Sequence, residues 1–480
     1  MKLFPRSVSV LLLVLLLLAA CGSPAATTPS GQTDQTAASA AASADAAAST
    51  EAAASAAAGD AASSAAASPA PTPTIEAAVV NPNGATKITW WHITTADPLK
   101  SDWQAMANAY TQQHPDVSIE INIIENEAFK TKLATAMQAG TPPDLFQSWG
   151  GGTMREYANA GLLKDLTADV QGEWGDSITP AALGVYSADS KVYGIPWDLG
   201  MVGFWYNKGL FQKAGIASPP QTWTEFLDAV SKLKAAGITP IALGEKDKWP
   251  GHFYWVYLAT RLGGKEAFEQ AYSRQGSFAD ESFVQAGQKL KELVDLQPFQ
   301  EGYLGADYGT HQSLMGNGQA AMELMGQWAP SSDRALATDP AAYDANLGFF
   351  PFPSVEGGKG AATDVMGGGN GFSVGKNAPP ETVDFLRFLT SKDNQSMIAA
   401  KGSIIPVVKG AETALTDPFA KQISENVSKA EYFQLYYDQF MPPAVGQAVN
   451  DLTQELYAGT RTPEEVAQGI EEVAATELEP

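Results

Sequence analysis

Extended and helical segments alternate between residues 86 and 148, and this alternation constrains the fold more than any other feature of the sequence. Three segments rich in β-branched and other apolar residues predict strands, and two segments with apolar residues at helical spacing separate them. In chain order the segments are Thr86–Ile93, 99–110, Val117–Ile123, 129–137 and Asp144–Phe146. This order predicts a parallel α/β sheet, in which ligands meet the loops at the carboxyl ends of the strands. Two such loops are His92–Thr94 and Gln147–Gly152.

The rest of the chain predicts further α/β structure. An extended run, Val192–Asn207, is followed by mostly helical segments over 225–336, with breaks expected at glycines and at Pro250. Thr222 and Thr462 each precede a glutamate by three residues, so each predicts a capping box at the start of a helix. A second extended set lies before residue 374. The pattern predicts an α/β chain with at least two lobes.

The amino terminus predicts export. A basic start precedes an apolar run, Val8–Leu18, and small residues lead to Cys21. These features are typical of a secretory signal peptide over residues 1–21, with a transmembrane anchor as the alternative. The tetrapeptide LAAC, which ends at Cys21, resembles the bacterial lipobox, in which the cysteine is lipidated and becomes the first mature residue. Because Cys21 is the only cysteine, disulfides and cysteine metal sites are excluded from the exported part.

Residues 22–84 consist mostly of Ala, Ser, Thr and Pro, with few charges and almost no bulky side chains. Since no apolar face is present and Ser, Gly and Pro are interspersed, this segment predicts a disordered tether. A flexible coil of this length reaches roughly 45 Å. We expect the folded part to begin near Thr86 and to be held by the lipid at Cys21 on the extracytoplasmic face of the cell membrane.

Charge and motif content exclude several functions. The formal net charge of −23 argues against nucleic-acid binding, which needs clustered Lys and Arg. The four histidines include no pair at i, i+4 and no His-Glu-x-x-His motif, so we expect no metal site. The glycines of Gly367–Gly371 lack the Lys-Ser/Thr of a phosphate loop, and no dinucleotide fingerprint is present. The sequence therefore predicts no cofactor.

Residues Gly371–Gly375 match the Gly-x-Ser-x-Gly motif of acyl hydrolases. That motif requires a strand, a sharp turn at the serine and then a helix. Here Phe372–Val374 itself predicts a strand, the next helix is expected only after Pro380, and no histidine follows His311. The pattern argues against an acyl hydrolase.

A glycosidase remains an alternative, because its carboxylate pair can come from distant residues. Asp198, Glu323 and Asp364 lie in segments that could face a cleft. In a chain with 53 Asp and Glu, surface or hinge carboxylates are the competing interpretation.

Several of the 11 tryptophans lie beside glycine, proline or small polar residues rather than within periodic stretches. Trp149 precedes three glycines, Trp249 precedes Pro250, and Trp328 lies in a Gly-Gln-Trp-Ala-Pro segment. An indole face can stack on the C–H face of a pyranose, and neighbouring glycines let backbone amides approach its hydroxyls. The pattern favours sugar binding, with closure of an interface between lobes as the alternative role of these side chains.

A series of motifs covers the chain from about residue 86 to its carboxyl end. In order, the motifs are ITWWH, AGTPPDLFQSWGGG, YANAGLLKDLT, VYGIPWDLGMVGFWYNKGLFQKAGI, PPQTWTEF, LGFFPFP, GSIIPV and YAGTRTPEEVAQGI. Together they resemble the extracellular solute-binding lipoproteins of carbohydrate ABC transporters, the maltose-binding-protein-like group known as family 1.

The resemblance implies a two-lobed periplasmic-binding-protein fold, with three interlobe crossings and a cleft between the lobes. The implied amino-terminal lobe holds residues 85–200 and 372–433, and the carboxyl-terminal lobe holds 206–364 and 438–480. The crossings are expected near Met201–Tyr206, Asp364–Phe372 and Phe433–Asp438.

The resemblance also implies a function. A carbohydrate, expected to be an oligosaccharide, binds reversibly in the cleft, a hinge closes the lobes, and the permease subunits of an ABC importer receive the ligand. We expect a monomer with no catalytic residue, and an extracellular glycoside hydrolase lipoprotein is the alternative. The implied ligand-binding residues are His92, Ser148, Trp149, Gly150, Asp198, Trp249, His252, Trp255, Trp328, Gly369 and Asn370.

Overall fold

The computed structural model describes residues 76–478 of the 480-residue chain. The predicted signal peptide, Cys21 and the tether up to residue 75 lie outside the described residues. Between residues 76 and 478, no helix combines the length and the apolar character needed to cross a membrane.

The described region is a mixed α/β structure. Its strands are β1 (Glu76–Val80), β2 (Thr86–His92), β3 (Val117–Ile123), β4 (Leu145–Ser148), β5 (Ser187–Ala188), β6 (Lys191–Val192), β7 (Gly194–Pro196), β8 (Gly200–Met201), β9 (Gly203–Asn207), β10 (Thr239–Ile241), β11 (Ala320–Met325), β12 (Leu347–Phe350), β13 (Val365–Gly368), β14 (Gly371–Val374) and β15 (Phe433–Leu435). Its α-helices are α1 (Leu99–Gln113), α2 (Asn126–Gln138), α3 (Gly151–Asn159), α4 (Glu173–Ser177), α5 (Pro180–Val185), α6 (Lys208–Lys213), α7 (Trp223–Ala235), α8 (Trp249–Tyr272), α9 (Glu281–Asp295), α10 (Tyr308–Gly316), α11 (Ala329–Leu336), α12 (Pro340–Asn346), α13 (Pro380–Leu389), α14 (Lys392–Ala399), α15 (Pro418–Lys429), α16 (Tyr437–Phe440), α17 (Pro443–Tyr457) and α18 (Pro463–Glu477).

The first lobe is built on a six-stranded sheet in the order β1-β3-β2-β4-β14-β7. Strands β3, β2 and β4 are parallel to one another, which confirms the parallel α/β unit predicted between residues 86 and 148. Strands β14 and β7 extend the sheet in antiparallel fashion. Helix α1 packs on the sheet through Trp103, Met106 and Tyr110, which are buried as their helical spacing predicts.

Strand β1 corrects the predicted end of the tether. Residues 76–80 pair antiparallel with β3, with Val80 opposite Ile119, so the tether prediction is wrong from residue 76 onward. The segment Glu-Ala-Ala-Val-Val has weak strand propensity, and its backbone hydrogen bonds to the edge of the sheet decide its conformation.

The second lobe is built on a four-stranded sheet in the order β10-β11-β9-β12. Strand β11 lies within 225–336, which the sequence predicted to be mostly helical. Its residues Ala-Ala-Met-Glu-Leu-Met favour helix, yet all six are buried between strands β10 and β9, and this tertiary context overrides propensity. The break predicted at Pro250 is also wrong, because Pro250 lies in the first turn of α8, where a missing N–H costs nothing.

A three-stranded sheet in the order β15-β13-β8 lies where the chain passes between the lobes. Strand β8 leads from β7 to β9, β13 leads from β12 back to β14, and β15 leads to the carboxyl-terminal helices. Helices α17 and α18 pack on α8 and α9 of the second lobe. This hinge sheet gives the two-lobed fold with three crossings that the resemblance implied, whereas the exact lobe bounds stay predictions.

The two predicted helix caps differ. The Thr462 hydroxyl accepts from the Glu465 amide while the Glu465 carboxylate accepts from the Thr462 amide, which confirms the capping box. At α7 the Thr222 hydroxyl caps Glu225 as predicted, but the Glu225 carboxylate accepts from the amide of Gln221 instead. That cap is therefore not the reciprocal box.

Candidate functional site: the cleft between the lobes

A cleft of about 1140 Å³ is lined by residues of both lobes and of the hinge sheet region. From the first lobe, the loops after β2, β3 and β4 reach it, as predicted for the carboxyl ends of parallel strands. From the second lobe, the first turns of α8, α10 and α11 reach it. Loops and helix starts thus meet at one place.

Aromatic side chains form the second-lobe wall of the cleft. Trp249, in the first turn of α8, lies with its ring centroid 4.8 Å from that of Tyr308 and 6.5 Å from that of Trp328. Tyr436 of the hinge region stacks on Phe253 at 5.3 Å. The indole Nε1 of Trp328 donates a hydrogen bond to the Tyr308 hydroxyl. We call these five residues the second-lobe aromatic wall.

The first-lobe wall carries one partly exposed tryptophan. Trp149 follows β4 and meets the edge of Phe129 at 5.9 Å, with an interplanar angle of 79°. The ammonium group of Lys130 lies 5.9 Å from the centroid of the same indole. Trp149 therefore lines the cleft from the lobe opposite to the second-lobe aromatic wall.

The glycines after Trp149 make room for the protein's own chain. A Cβ at Gly150 would lie 2.4 Å from the carbonyl oxygen of Val185, and one at Gly151 would lie 2.3 Å from that of Gln439. Neither Gly150 nor Gly151 lines the cleft. The space that these glycines leave is filled by the backbone of Val185 in α5 and of Gln439 next to the third crossing, and the Gly150 amide donates to the Ser148 hydroxyl; that the glycines expose amides to a ligand stays a prediction.

The floor of the cleft is polar. Gln147 at the end of β4 donates from Nε2 to Asn370 Oδ1 at 2.9 Å. The Asn370 side-chain amide donates to both carboxylate oxygens of Asp198, at 3.1 and 3.3 Å, and its backbone amide donates at 2.7 Å. Gln327 Nε2 donates to Asp198 Oδ2 at 3.3 Å. We call these four residues the floor chain.

Burial raises the pKa of Asp198 to about 6, although the hydrogen bonds from Asn370 and Gln327 lower it. The carboxylate is 4% exposed and no lysine or arginine of residues 76–478 forms an ion pair with it. The amide groups of Asn370 and Gln327 are thus the hydrogen-bond donors that stabilise the Asp198 carboxylate.

Of the predicted ligand-binding residues, the structure brings five together at the cleft and places six elsewhere. Those that line the cleft are Trp149, Asp198, Trp249, Trp328 and Asn370. Those that do not are His92, Ser148, Gly150, His252, Trp255 and Gly369.

The outlying aromatic residues belong to the interior. His92 is 1% exposed with its ring 4.9 Å from that of Trp90, and burial with nearby Lys100 lowers its pKa to about 3. Trp255 is fully buried and stacks on Phe283 at 5.9 Å. His252, also fully buried, lies 3.8 Å from a carboxylate oxygen of Asp438. Every residue of α8 from Trp249 to Arg261 is buried, so residues 252 and 255 are enclosed within the lobe and do not reach the cleft.

The other three outliers, Ser148, Gly150 and Gly369, lie beside the residues of the floor and do not line the cleft. Ser148 accepts the Gly150 amide with its hydroxyl, and its carbonyl oxygen accepts from the Tyr186 hydroxyl at 2.8 Å. The same hydroxyl lies 3.2 Å from the carbonyl oxygen of Gly369. The Tyr186 hydroxyl thus links the backbones of Ser148 and Gly369, which are the chain neighbours of the floor residues Gln147 and Asn370.

The sequence missed Tyr308, Tyr436 and Phe253 of the second-lobe aromatic wall, and Gln147 and Gln327 of the floor chain. Both glutamines lie one or two residues from predicted tryptophans, so this proximity in the sequence could have indicated that they are site residues. The two tyrosines follow no recognisable motif, and only the fold brings them to the cleft.

The features considered for catalysis do not meet at the cleft. Ser373 is fully buried inside strand β14 and the next helix begins at Pro380, so the nucleophile-turn geometry does not form. Of the three carboxylates considered for a glycosidase, Glu323 and Asp364 do not line the cleft. Within residues 76–478, no cluster of three or more His, Cys, Asp or Glu side chains could hold a metal ion.

Comparison with known proteins agrees with this architecture. The chain is 26% identical over 384 residues to an uncharacterized ABC transporter extracellular-binding protein of Pyrococcus horikoshii, covering 76% of this chain and 82% of the relative. A chitin oligosaccharide binding protein of known structure matches with a TM-score of 0.75 and 30% identity, over 82% of this chain and 99% of the other. A structure from work on xylan utilization by Caldanaerobius polysaccharolyticus matches with the same TM-score and identity, over 80% and 99%.

The family model for bacterial extracellular solute-binding proteins matches residues 96–396, a span that includes the first two crossings and most of the residues that line the cleft. The chain therefore belongs to the family of bacterial extracellular solute-binding proteins.

Proposed function

We propose that the protein is an extracytoplasmic receptor that binds an oligosaccharide reversibly in the cleft and delivers it to an ABC importer. The observation that carries this proposal is the pairing of aromatic faces on opposite lobes, Trp149 on one side and Trp249 with Trp328 on the other, above a polar floor. Pyranose rings present C–H faces to stack on indoles and a rim of hydroxyls for hydrogen bonds.

Unpaired polar atoms in the cleft support a ligand rich in hydroxyls. Five buried polar atoms without a hydrogen-bond partner among residues 76–478 belong to residues that line the cleft: Nε1 of Trp197 and of Trp249, the hydroxyls of Tyr436 and Ser403, and Oε1 of Gln327. Each buried polar group left unpaired costs about 1–3 kcal/mol. A sugar that supplies partners would recover part of that cost, and an apolar ligand would not.

The size of the cleft supports an oligosaccharide over a single ring. At about 1140 Å³ it exceeds the roughly 300–1,000 Å³ of ordinary small-molecule pockets. Of the two similar solved structures, one is a chitin oligosaccharide binding protein and the other comes from work on xylan utilization. Chitin and xylan oligosaccharides are therefore the first ligands to test.

The three crossings support hinge closure around the ligand, after which permease subunits would recognise the closed form. We take the protein to act as a monomer. Trp149, Trp249, Trp328 and Asn370 are the predicted binding residues that we retain, together with Gln147, Tyr308 and Tyr436, and Asp198 is retained as part of the floor chain that holds Asn370 and Gln327.

Lipidation at Cys21 would hold the protein at the membrane, with residues 22–75 as a tether. Replacing Cys21 with serine tests this part of the proposal. The variant should appear in the soluble extracytoplasmic fraction and should take up no labelled fatty acid. Membrane retention equal to that of the wild type would contradict it.

Binding itself is tested by a thermal-shift screen against neutral mono- and oligosaccharides, with mass spectrometry of each sugar after incubation. At 100 times Kd a ligand adds about 2.7 kcal/mol of stability, or roughly a few degrees in Tm. A shift with the sugar recovered intact supports the receptor. Cleavage of the sugar would replace this proposal with the glycoside hydrolase.

A further inference from the structure

The floor chain crosses the cleft from one lobe to the other. Gln147 belongs to β4 of the first lobe, and Gln327 follows β11 of the second. Asp198 and Asn370 lie between them, in the first and second crossings, and are also joined by a backbone hydrogen bond from Asp198 N to Asn370 O at 3.2 Å. All four side chains line the cleft.

An ionised carboxylate only accepts hydrogen bonds, and this gives the floor chain a direction. Asp198 requires the NH₂ groups of both Asn370 and Gln327 to face it. Asn370 must then turn Oδ1 toward Gln147, and Gln147 must donate to it from Nε2. The side-chain oxygen Oε1 of Gln147 is left without a partner among the described residues. The floor therefore offers the ligand a hydrogen-bond acceptor at this point.

We propose that Asp198 is a positioning residue, which acts on the ligand through Asn370 and Gln147 by fixing which end of each amide faces the cleft. This inference rests on the proposed function. A ligand hydroxyl above Gln147 then has to donate its proton, and loss of the Asp198 charge lets the amides turn and weakens that bond.

The groups around Asp198 make its ionisation state the controlling variable. The titratable side chains that face it are the hydroxyls of Tyr186 and Tyr436, whose pKa values burial raises well above their usual range, so both stay neutral. Because the pKa of Asp198 itself is about 6, the carboxylate is ionised at pH 7.5 and mostly protonated at pH 5. The affinity for sugar should therefore fall as the pH falls through about 6.

The test compares the wild type with Asp198→Asn, which keeps the shape and removes the charge. N,N′-diacetylchitobiose and xylotriose are titrated calorimetrically at pH 7.5 and pH 5, with the full-length protein in a detergent that lacks a sugar head group. The wild type should lose about tenfold in affinity at the lower pH, as expected for one proton and one pH unit below the pKa. The variant should bind about tenfold more weakly at pH 7.5 and show no such fall.

Asp247→Asn is the matched control. Asp247 also lines the cleft and burial raises its pKa to about 6, but it accepts from the backbone amide of Tyr308 and is not part of the floor chain. This variant should keep the fall in affinity between pH 7.5 and pH 5, whatever its own affinity.

A double-mutant cycle separates positioning from simple loss of structure. Gln147→Met removes the last amide of the chain at similar volume, so adding Asp198→Asn to it should cost less affinity than Asp198→Asn costs alone. A wild-type affinity that is the same at both pH values, an inflection that survives in Asp198→Asn, or fully additive costs would overturn the inference while the receptor function stands. Absence of binding by the wild type at both pH values would overturn both.

Discussion

The indole Nε1 of Trp328 donates a hydrogen bond of 2.9 Å to the hydroxyl of Tyr308. Trp328 is the N-cap residue of α11 and Tyr308 is the first residue of α10, so this bond joins two helix starts at the wall of the cleft. Gly326 makes the arrangement possible, because a Cβ there would lie 2.1 Å from the Trp328 ring. The bond fixes the orientation of the Trp328 indole, and we expect a sugar ring to stack on the face of that indole.

Tyr308→Phe should weaken sugar binding about three- to tenfold. The variant keeps the ring that packs against Trp249 but leaves the Trp328 indole without its acceptor, which costs about 1 kcal/mol of positioning. Calorimetric titration measures the change. Tyr303→Phe makes the same chemical change at a hydroxyl that donates to the Tyr457 carbonyl away from the cleft, and should leave Kd as it is.

Trp255 and Trp149 should separate stability from binding. Trp255→Ala empties a fully buried position and should lower the free energy of unfolding by about 3–5 kcal/mol, with the Kd of the folded protein unchanged. Trp149→Ala, at a partly exposed position on the cleft wall, should leave the free energy of unfolding nearly unchanged and weaken binding about tenfold. Denaturant unfolding and calorimetry measure the two effects. Equal losses of affinity in both variants would show that Trp255 lies at the ligand after all.

The buried pair of Glu323 and Asp333 should make stability depend on pH. Burial raises the pKa of both carboxyls, and Asp333 accepts from the Tyr343 hydroxyl at 3.0 Å. With native pKa values above the unfolded ones, the native state binds more protons at these two carboxyls, so their contribution to stability is fully present at low pH and is lost as the pH rises above about 5. Glu323→Gln should flatten this fall.

The pH prediction is checked by denaturant unfolding of wild type and Glu323→Gln at pH 5 and pH 8. His311, whose pKa burial lowers to about 4, acts in the opposite direction as the pH falls, and its Nε2 lies 2.7 Å from Glu323 Oε2. The two proteins are therefore also compared in a His311→Gln background, where the difference isolates the carboxyl. Glu292→Gln on the surface should keep the wild-type dependence. An unchanged slope in Glu323→Gln would contradict the prediction.

Arg261 should be needed for the path of the chain into the second crossing. Its buried guanidinium donates to the carbonyl oxygens of Phe352, Pro353, Ala362 and Asp364, just before β13. A single lysine ammonium at position 261 cannot donate to all four carbonyl oxygens. Arg261→Lys should therefore cost about 3 kcal/mol of stability. Arg334→Lys, at an exposed ion pair, should change stability by less than about 0.5 kcal/mol. Similar losses in the two variants would contradict this role.

Much of the fold could be predicted because local pattern and tertiary structure agree in the first lobe. Strands β2 and β3 and helices α1 and α2 match their predicted segments closely, since apolar spacing decides their conformation. Strand β11 was missed because six helix-favouring residues are buried between two strands, and β1 because its pairing is supplied by β3. Both depend on contacts that the local sequence does not contain.

The candidate site was predictable only in part. Trp149, Trp249 and Trp328 stood out because each lies beside a break in the periodic pattern. His252 and Trp255 lie away from the cleft because the segment in which Pro250 suggested a loop starts helix α8, where every residue from Trp249 to Arg261 is buried. Tyr308 and Tyr436 come from segments 128 residues apart in the chain, and only the crossings bring them to one wall.

Calorimetric titration of the wild type and of Trp149→Ala/Trp328→Ala with N,N′-diacetylchitobiose, xylotriose, raffinose and maltotriose in turn tests the central claim most directly. The account predicts that at least one of these sugars binds the wild type reversibly. It also predicts that the double variant, still folded by circular dichroism, binds that sugar about a hundredfold more weakly, as expected for two lost stacking contacts. No binding of any of the four sugars, or the same Kd in both proteins, would contradict it.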